Sequence, residues 1–557
     1  HIGTGLEFKI LNEYRKENRI YDYEKDVNLE EELAEVYSAP IDNKYELFPG
    51  VYANEAQREA ISKMERFMKS EDETFVLVGR GGTGKTTLTR KVLGLSGMPS
   101  TYIGGAALSH AAKHVLGDNI GDIKVHTIAA LLGITLNETT GNFEPNQFLR
   151  ERGLPIKDYD LLIIDETSMI SQKILNEIMK MKRSGTKVIF MGDNVQLPPI
   201  GEGDIESPSF RAFKKQNFAK LTERVRQGEE NPIVKVTDII ANNIEADNTV
   251  TRILAMKDRK TSFDEETSRG VIFVKDEQDT IEQLTADIRE GGSDPLYAKA
   301  IVFNNERYLK SSQSVYHLNK KIRSLLYGDD DKIQFNTGEI LVAYDTFVRP
   351  GRAGGILLEN SEALTVISQS EPYEKRVRAH HFKYGDLDET YWTIDLTVDN
   401  ARGWRKTVPV VASKSLKQFN DDLRTKAKGA LYYRLREAFA NIHYGYAITS
   451  HKAQGSTYKN VYVFEDNILG PTNAGSNRTK NKSFYVAVSR PSHKLVIHSQ
   501  RNLDPDGSYP DLVFSLPTEA TANFEGDIPS FLKDSNPEQR ETFRRMRKER
   551  RIFTECK

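Results

Sequence analysis

One stretch constrains the chain more than any other: Gly79-Arg80-Gly81-Gly82-Thr83-Gly84-Lys85-Thr86. It follows the apolar run Phe75-Val76-Leu77-Val78 and precedes residues, Thr87 to Leu93, that read as helix. In a strand–glycine loop–helix arrangement the backbone curls closely enough for its N–H groups and the helix N-terminus to face phosphate oxygens. Lys85 is then placed to reach the β and γ phosphates and the Thr86 hydroxyl to hold Mg²⁺, with Gly79, Gly82, Thr83, Gly84 and Thr87 completing the cradle. The implied ligand is a nucleoside triphosphate.

The next segments supply groups for hydrolysis. Leu161-Leu162-Ile163-Ile164-Asp165-Glu166 is an apolar run ending in two acids, the signature of a buried parallel strand that delivers carboxylates to its ligand-binding end. Asp165 suits the Mg²⁺ shell, and Glu166 suits a base that orients the attacking water. A further strand, Lys187 to Met191, leads to Gly192-Asp193-Asn194-Val195-Gln196, where Gln196 is placed to sense the γ-phosphate. Leu221 to Gln227 adds Arg224 and Arg226, suited to clamping phosphate charge. Upstream, a helical pattern runs from Asn54 to Met68. Its Gln57 offers the paired donor and acceptor that adenine recognition uses.

Between these segments, Thr101-Tyr102-Ile103 reads as strand, and Ser109-His110-Ala111-Ala112-Lys113 opens a helix, followed by His126-Thr127-Ile128. Small hydroxyl and basic residues at strand-to-helix turns suit contacts to a phosphate backbone, and turns of α/β domains also use them structurally. The net charge of −2 requires any such contact to come from a local groove, because the bulk charge gives no attraction.

At 557 residues the chain is too long for one core. Its one cysteine, Cys556, excludes a disulfide framework or a multi-cysteine zinc site and fits a reducing cytoplasm. No apolar run approaches the ~18 residues of a membrane helix and no signal peptide opens the chain, so the expected location is cytoplasmic, without membrane contact.

A second set of α/β elements begins near Val271, with a strand at Ala300 to Phe303. It contains Tyr446-Ala447-Ile448-Thr449-Ser450-His451-Lys452-Ala453-Gln454-Gly455-Ser456 and Phe484-Tyr485-Val486-Ala487-Val488-Ser489-Arg490. These two stretches resemble helicase motifs V and VI, and Ser109 to Lys113 resembles motif Ia. The order and spacing of motifs from Ala53 to His498 resemble superfamily 1 helicases of the RecD-like branch (superfamily 1B), nearest its Dda-like group from T-even phages. Gln454-Gly455 lies in that branch's H-K-A-Q-G signature, and Ile394 to Val398 resembles part of its inserted domain.

The resemblance implies an α/β chain of two RecA-like P-loop domains. A β-hairpin pin is inserted in the first, and an SH3-like β domain with a tower in the second. The expected boundaries are an N-terminal extension (1–50), the first RecA-like domain (51–227) with its pin (134–158), the first part of the second (228–340), the insertion (341–430), the rest of the second (431–502), and a linker with a basic helix (503–557). Arg490 is then an arginine finger from the second domain, Arg226 reaches the γ-phosphate from the other side, and Gln454 and Gly455 touch nucleotide. Ser109, His110, Lys113, Thr127, Thr449, His451 and Lys452 contact DNA. Phe148 falls at the pin phenylalanine that stacks on a base; anchoring the hairpin to its own domain is the other use for Phe148 or Phe143.

The implied activity is an ATP-dependent DNA helicase. It binds single-stranded DNA and single-strand/duplex junctions, moves 5′ to 3′ and unwinds duplex, in phage replication, recombination or repair. It would act as a monomer alongside a single-stranded-DNA-binding protein or other replisome proteins. The rival expectations are an RNA or 3′–5′ helicase, and an ATP-driven remodeller that displaces proteins but separates strands poorly. The chain departs from the family pattern at Arg80, where proline is usual, at Leu108-Ser109 for Pro-Thr, at Ala129 for histidine in motif Ib, and at Ser489 for threonine.

Overall fold

The computed structural model describes residues 43–49, 51–137, 142–145, 150, 153–199, 202, 205–211, 216–223, 231–246, 262–305, 312–328, 333–349, 355–470 and 475–499. Residues 1–42, Phe148, Arg224, Arg226 and the tail from 500 onward lie outside the described residues.

The chain divides into residues 1–58 and 59–557. In the first unit, Glu46–Phe48 pairs antiparallel with Val51–Tyr52. The helix Glu55–Lys69 (α1) then begins. Asn54 and Gln57 exchange bonds across its first turn: the Gln57 N–H donates to Asn54 Oδ1 over 2.9 Å, and the Asn54 N–H donates to Gln57 Oε1 over 3.1 Å. This is a capping box, which satisfies two helix-end donors at once.

Among the described residues the second unit holds three six-stranded sheets and two short two-stranded ribbons. The first contains Thr74–Gly79 (β1), Ile103–Ala107 (β2), Lys124–Thr127 (β3), Leu161–Asp165 (β6), Lys187–Gly192 (β7) and Phe218–Leu221 (β8), in the order β8-β1-β7-β6-β2-β3 and parallel throughout. Its central strands are apolar along their length because both faces are covered. The helices Lys85–Ser96 (α2), His110–Ile120 (α3), Ile128–Leu132 (α4) and Gln172–Met181 (α5) connect them. Thr101 and Tyr102, read as strand, instead form a 3-10 turn over Ser100–Tyr102. Pro99 fixes φ at −59° there, the Tyr102 N–H closes onto its carbonyl, and the strand begins only at Ile103. Between α4 and β6, Ile134–Asn137 (β4) and Asn142–Pro145 (β5) pair antiparallel.

The second sheet combines Ser262–Asp264 (β9), Arg269–Val274 (β10), Ala298–Val302 (β11), Ala447–Thr449 (β20), Tyr458–Phe464 (β21) and Pro491–His498 (β22), in the order β9-β10-β22-β21-β11-β20. Only the edge strand β9 is antiparallel. Helix Pro232–Asn242 (α6) belongs with this sheet: Ile233, Val236 and Ile240 share a core with Val271, Val461, Phe484 and Leu495. Leu197, from the loop after β7, enters the same core with no exposed surface. On the other face lie Glu277–Gly291 (α7), capped by Asp276, and Val315–Tyr327 (α8), capped by Ser314.

The third sheet is antiparallel. Ile340–Ala343 (β12), Ala363–Gln369 (β15), Tyr373–His381 (β16), Gly385–Asn400 (β17), Arg405–Val411 (β18) and Ile442–Tyr444 (β19) form it, with Phe347–Val348 (β13) and Ile356–Leu358 (β14) as a short ribbon beside it. Alternating Ile394, Leu396 and Val398 pack inward with Leu364, Val408 and Val410. Helices Ser413–Thr425 (α9) and Ala430–Arg436 (α10) cover its far end. His380 pairs with Asp386 across the β16–β17 hairpin at 2.5 Å, both side chains exposed. The hairpin makes neighbours of residues the sequence spacing keeps apart. Of the remaining elements, Ser450–Ala453 (α11) follows β20, Glu465–Leu469 (α12) follows β21, and Asn477–Val488 (α13) runs to the edge of β22.

Candidate nucleotide-binding cleft and strand-contact residues

At the carboxyl edge of the first sheet, β1 ends at Gly79 and α2 begins at Lys85. The loop between them needs glycine for two reasons. Gly82 and Gly84 sit at φ of 81° and 86°, and a Cβ at Gly79 would stand 2.5 Å from Thr83 Oγ1. Thr83 Oγ1 donates to the Arg80 carbonyl, and Lys85 Nζ donates to the carbonyls of Gly79 (2.7 Å) and Arg80 (3.2 Å). Thr86 and Thr87 lie in the first turn of α2.

Two strands across from this loop, β6 presents Asp165 and Glu166. Glu166 holds a left-handed φ of 52°, with its N–H on Asp165 Oδ1. Such a backbone costs of order 1–3 kcal/mol for a side-chain-bearing residue and persists where the surroundings dictate it. Both residues keep some exposed surface at the sheet edge, yet Glu166 Oε2 is sealed from solvent and has no hydrogen-bond partner among the described residues. Burial raises the Asp165 carboxyl above its ordinary range, opposed by Lys85 and the Glu166 N–H. Burial and the neighbouring Asp165 push Glu166 up to about 7, with Arg490 and Lys85 pulling the other way and Asp193 adding to the rise. The groups that act on Glu166 therefore come from both parallel sheets.

The loop after β7 is gripped from the second sheet. Tyr485, on α13, donates its hydroxyl to Asp193 Oδ2 over 2.5 Å, while Asp193 Oδ1 accepts from the Val195 N–H. Lys482, one turn earlier, donates to the Asn194 carbonyl over 3.0 Å; burial lowers its ammonium to about 8. Gln196 is 4 % exposed and its Oε1 has no partner among the described residues. Gln454 crosses from the second domain to donate to Ser168 Oγ over 3.0 Å, and its Oε1 is likewise buried and unpartnered. Gly455, at φ 80°, passes so close to α3 that a Cβ would stand 3.3 Å from Ala112 Cβ and 3.4 Å from Ser109 Oγ. Arg490 is docked on its own domain. Nε donates to the Val486 carbonyl, Nη1 to the Ser456 carbonyl and Nη2 to Ser489 Oγ.

Arg80, where the family usually has proline, reaches across to α6. Nη1 donates to Asp238 Oδ1 (2.8 Å) and Nη2 to Asn242 Oδ1 (2.5 Å). Sequence reading missed Tyr485, Lys482, Ser168 and Asp238 as parts of this cleft, because nothing local marks an aromatic or lysine on a core helix as an interdomain contact. Gln57, assigned to adenine, spends its amide oxygen on the α1 capping box.

Three hydroxyls expected at DNA turn out to cap helices. Ser109 accepts from the Ala112 N–H (α3), Thr127 from Ala130 (α4) and Thr449 from Lys452 (α11). A capping hydroxyl uses one lone pair and keeps its O–H free to donate, so capping and strand contact are compatible. His110 and Lys113 lie on the first turn of α3, and both approach Glu359 from the loop after β14. His451 is largely enclosed, which lowers its imidazole below the ordinary range. Lys452 Nζ sits 4.0 Å from the Tyr344 ring centre and donates to Asn360 Oδ1. Of Phe143 only the backbone, in β5, is described.

Comparison with known proteins agrees with this layout. A family model described as an AAA domain matches residues 52–260, and one described as the UvrD-like helicase C-terminal domain matches 444–498. The ATP-dependent DNA helicase dda of Enterobacteria phage T4 is 25% identical over 435 residues, covering 74% of this chain and 92% of that protein. An uncharacterised protein, R530, of Acanthamoeba polyphaga mimivirus is 24% identical over 506 residues, covering 79% of this chain and 99% of that protein. The ATP-dependent RecD2 DNA helicase of Deinococcus radiodurans is 32% identical over 160 residues, 29% of this chain and 20% of that protein. Among solved structures, Pif1 helicase from Candida albicans aligns with a TM-score of 0.40 at 16% identity, covering 85% of this chain and 99% of that one. In motif order and in sequence the chain is similar to the RecD-like ATP-dependent DNA helicases of superfamily 1B.

Proposed function

We propose that the cleft between the two parallel sheets hydrolyses ATP, and that its opening and closing drive the protein 5′ to 3′ along single-stranded DNA and into duplex. One observation carries the reading. Three buried acceptors without partners among the described residues, Glu166 Oε2, Gln196 Oε1 and Gln454 Oε1, lie on the segments that meet between the two sheets. Buried polar atoms are rarely left unpaired unless a ligand or water completes them.

Mg²⁺ fits the residues present. Thr86 opens α2 and Asp165 ends β6; burial keeps both carboxyls above their ordinary range, with Asp165 adding to the rise at Glu166, and a divalent cation would relieve that penalty. When bound, the ion neutralises charge on the transferring phosphoryl group. The remaining work belongs to the chain. The loop N–H groups and Lys85 hold the phosphates, Glu166 takes a proton from the attacking water, and Gln196 orients that water. Arg490 leaves its carbonyl partners to meet the γ-phosphate from the second domain, with Arg226 opposite. Gln454 and Gly455 carry closure of the cleft to α3, because they touch Ser168 and the α3 N-terminus directly. Ser109, Lys113, Thr127, Thr449, His451 and Lys452 grip the strand alternately as the two domains move.

The 5′-to-3′ direction, the pin built on β4 and β5 with Phe148, and monomeric action rest on the family likeness. The likeness to the phage T4 helicase supports a role in phage DNA replication, recombination or repair; a single-stranded-DNA-binding protein or other replisome proteins are the partners proposed for it. Lys85→Ala should abolish DNA-stimulated ATP hydrolysis while leaving single-stranded DNA binding measurable. Retained DNA-stimulated hydrolysis in that variant would sink the reading.

A further inference from the structure

Three nitrogens on one face of α3 converge on one carboxylate. His110, Lys113 and His114 stand at positions i, i+3 and i+4, which places them side by side. Lys113 Nζ lies 2.8 Å from Glu359 Oε1, and His114 Nε2 lies 2.5 Å from Oε2. His110 Nδ1 is 3.0 Å from Oε1 but off the line of a good hydrogen bond. His110 Nε2 is near Thr346 Oγ1, at 3.4 Å.

This placement is unfavourable for the helix alone. A helix N-terminus carries partial positive charge, so a lysine in the first turn lowers its stability unless an anion sits with it. Glu359 is that anion here, although it comes from a different sheet more than two hundred residues away in sequence. Burial alone would raise its carboxyl. The adjacent His110, His114 and Lys113 outweigh that and hold it well below the usual carboxylate range. Its side chain and its three partners are 14–29 % exposed, so the cluster lies at a surface that a ligand can reach. The next residue, Asn360, accepts from Lys452 of the second RecA-like domain over 3.2 Å. One turn of the third sheet thus occupies strand-contact residues on both domains at once.

We propose that His110, Lys113 and His114 form a site for a backbone phosphodiester of single-stranded DNA, and that Glu359 is its internal stand-in, closing the strand groove until DNA displaces it. The inference rests on the helicase reading and names a contact, His114, and a gate, Glu359, that the motifs do not mark. A carboxylate and a phosphodiester each carry one negative charge and oxygen acceptors, so one replaces the other on the same donors. Affinity for DNA is then reduced by the fraction of molecules in which Glu359 is seated.

The test is fluorescence anisotropy with labelled oligothymidylate on the full chain. Glu359→Gln keeps the shape and removes the charge, and should bind about threefold to tenfold more tightly than wild type at the same salt. The gain should disappear when the same substitution is made in a Lys113→Ala, His114→Ala background. Lys113→Ala alone should weaken binding and lower the slope of log affinity against log salt by about one. Unchanged or weaker binding by Glu359→Gln would overturn the proposal, because a residue that only positions Lys113 would lose affinity when neutralised. An unchanged salt slope in Lys113→Ala would overturn it as well. Absence of DNA-stimulated hydrolysis in wild type and Glu359→Gln alike would instead overturn the helicase reading.

Discussion

The Tyr485 hydroxyl donates to Asp193 Oδ2 over 2.5 Å, joining a core helix of the second sheet to the loop that carries Gln196. Both residues are about 1% exposed, so the bond is made away from water. Replacing Tyr485 by Phe leaves a buried carboxylate oxygen without its donor, which costs on the order of 1–3 kcal/mol. That cost falls on the closed cleft rather than on either domain. Steady-state hydrolysis by Tyr485→Phe should show kcat/KM for ATP reduced about tenfold or more, with the melting temperature changed by only a few degrees.

The Arg80–Asp238 pair tests whether the phosphate loop also communicates through α6. The two side chains are 25% and 35% exposed, so the coupling should be no more than about 1 kcal/mol. Arg80→Ala and Asp238→Asn should each change KM for ATP less than about fivefold, and the double variant should resemble the singles. Additive effects would mean the pair does not act as a unit.

Glu166 gives a pH dependence whose sign is fixed. Its carboxyl is raised from an ordinary 4.5 to about 7 in the folded, ligand-free protein. In the proposed role of base it works only when ionised, so kcat/KM for ATP should rise about tenfold from pH 6 to pH 8. A raised carboxyl favours the folded state fully below the unfolded value and loses that contribution as pH rises through about 7. Glu166→Gln should therefore raise the melting temperature at pH 8 and have little effect near pH 4.5. A stabilisation that grows toward low pH would contradict the assignment.

Gly455 brings the second domain close against α3. With φ at 80° and 3.3 Å from a Cβ to Ala112, alanine there must strain the backbone and push α3 away. Gly455→Ala should cut DNA stimulation of hydrolysis several-fold, measured as the ratio of rates with and without oligothymidylate.

The nucleotide side of this architecture was legible because its signals are local. A glycine loop between a strand and a helix, and an apolar run ending in Asp165-Glu166, are each readable within ten residues. The capping roles of Ser109, Thr127 and Thr449 are equally local, and the sequence leaves a structural use of such hydroxyls open beside phosphate contact. In the same way, Asn54 and Gln57 spell a capping box that adenine recognition obscured. Contacts between domains were not legible. Tyr485 sits in a run of core residues on α13, and only the fold shows that its hydroxyl emerges at Asp193. The pairing of Lys113 with Glu359 depends on how a third sheet is hung over the first two, which no spacing encodes. The 3-10 turn before β2 shows the smaller version of the same limit, where Pro99 decides a boundary that residue preference alone misplaces.

The central claim is that ATP hydrolysis in the cleft between the two sheets drives directed motion along one strand. Strand displacement on 5′-tailed and 3′-tailed DNA duplexes, with ATP, wild type beside Lys85→Ala, tests it most directly. ATP-dependent displacement is expected from the 5′-tailed duplex, with little from the 3′-tailed one and none with Lys85→Ala. Equal displacement by Lys85→Ala, or a preference for the 3′ tail, would contradict it.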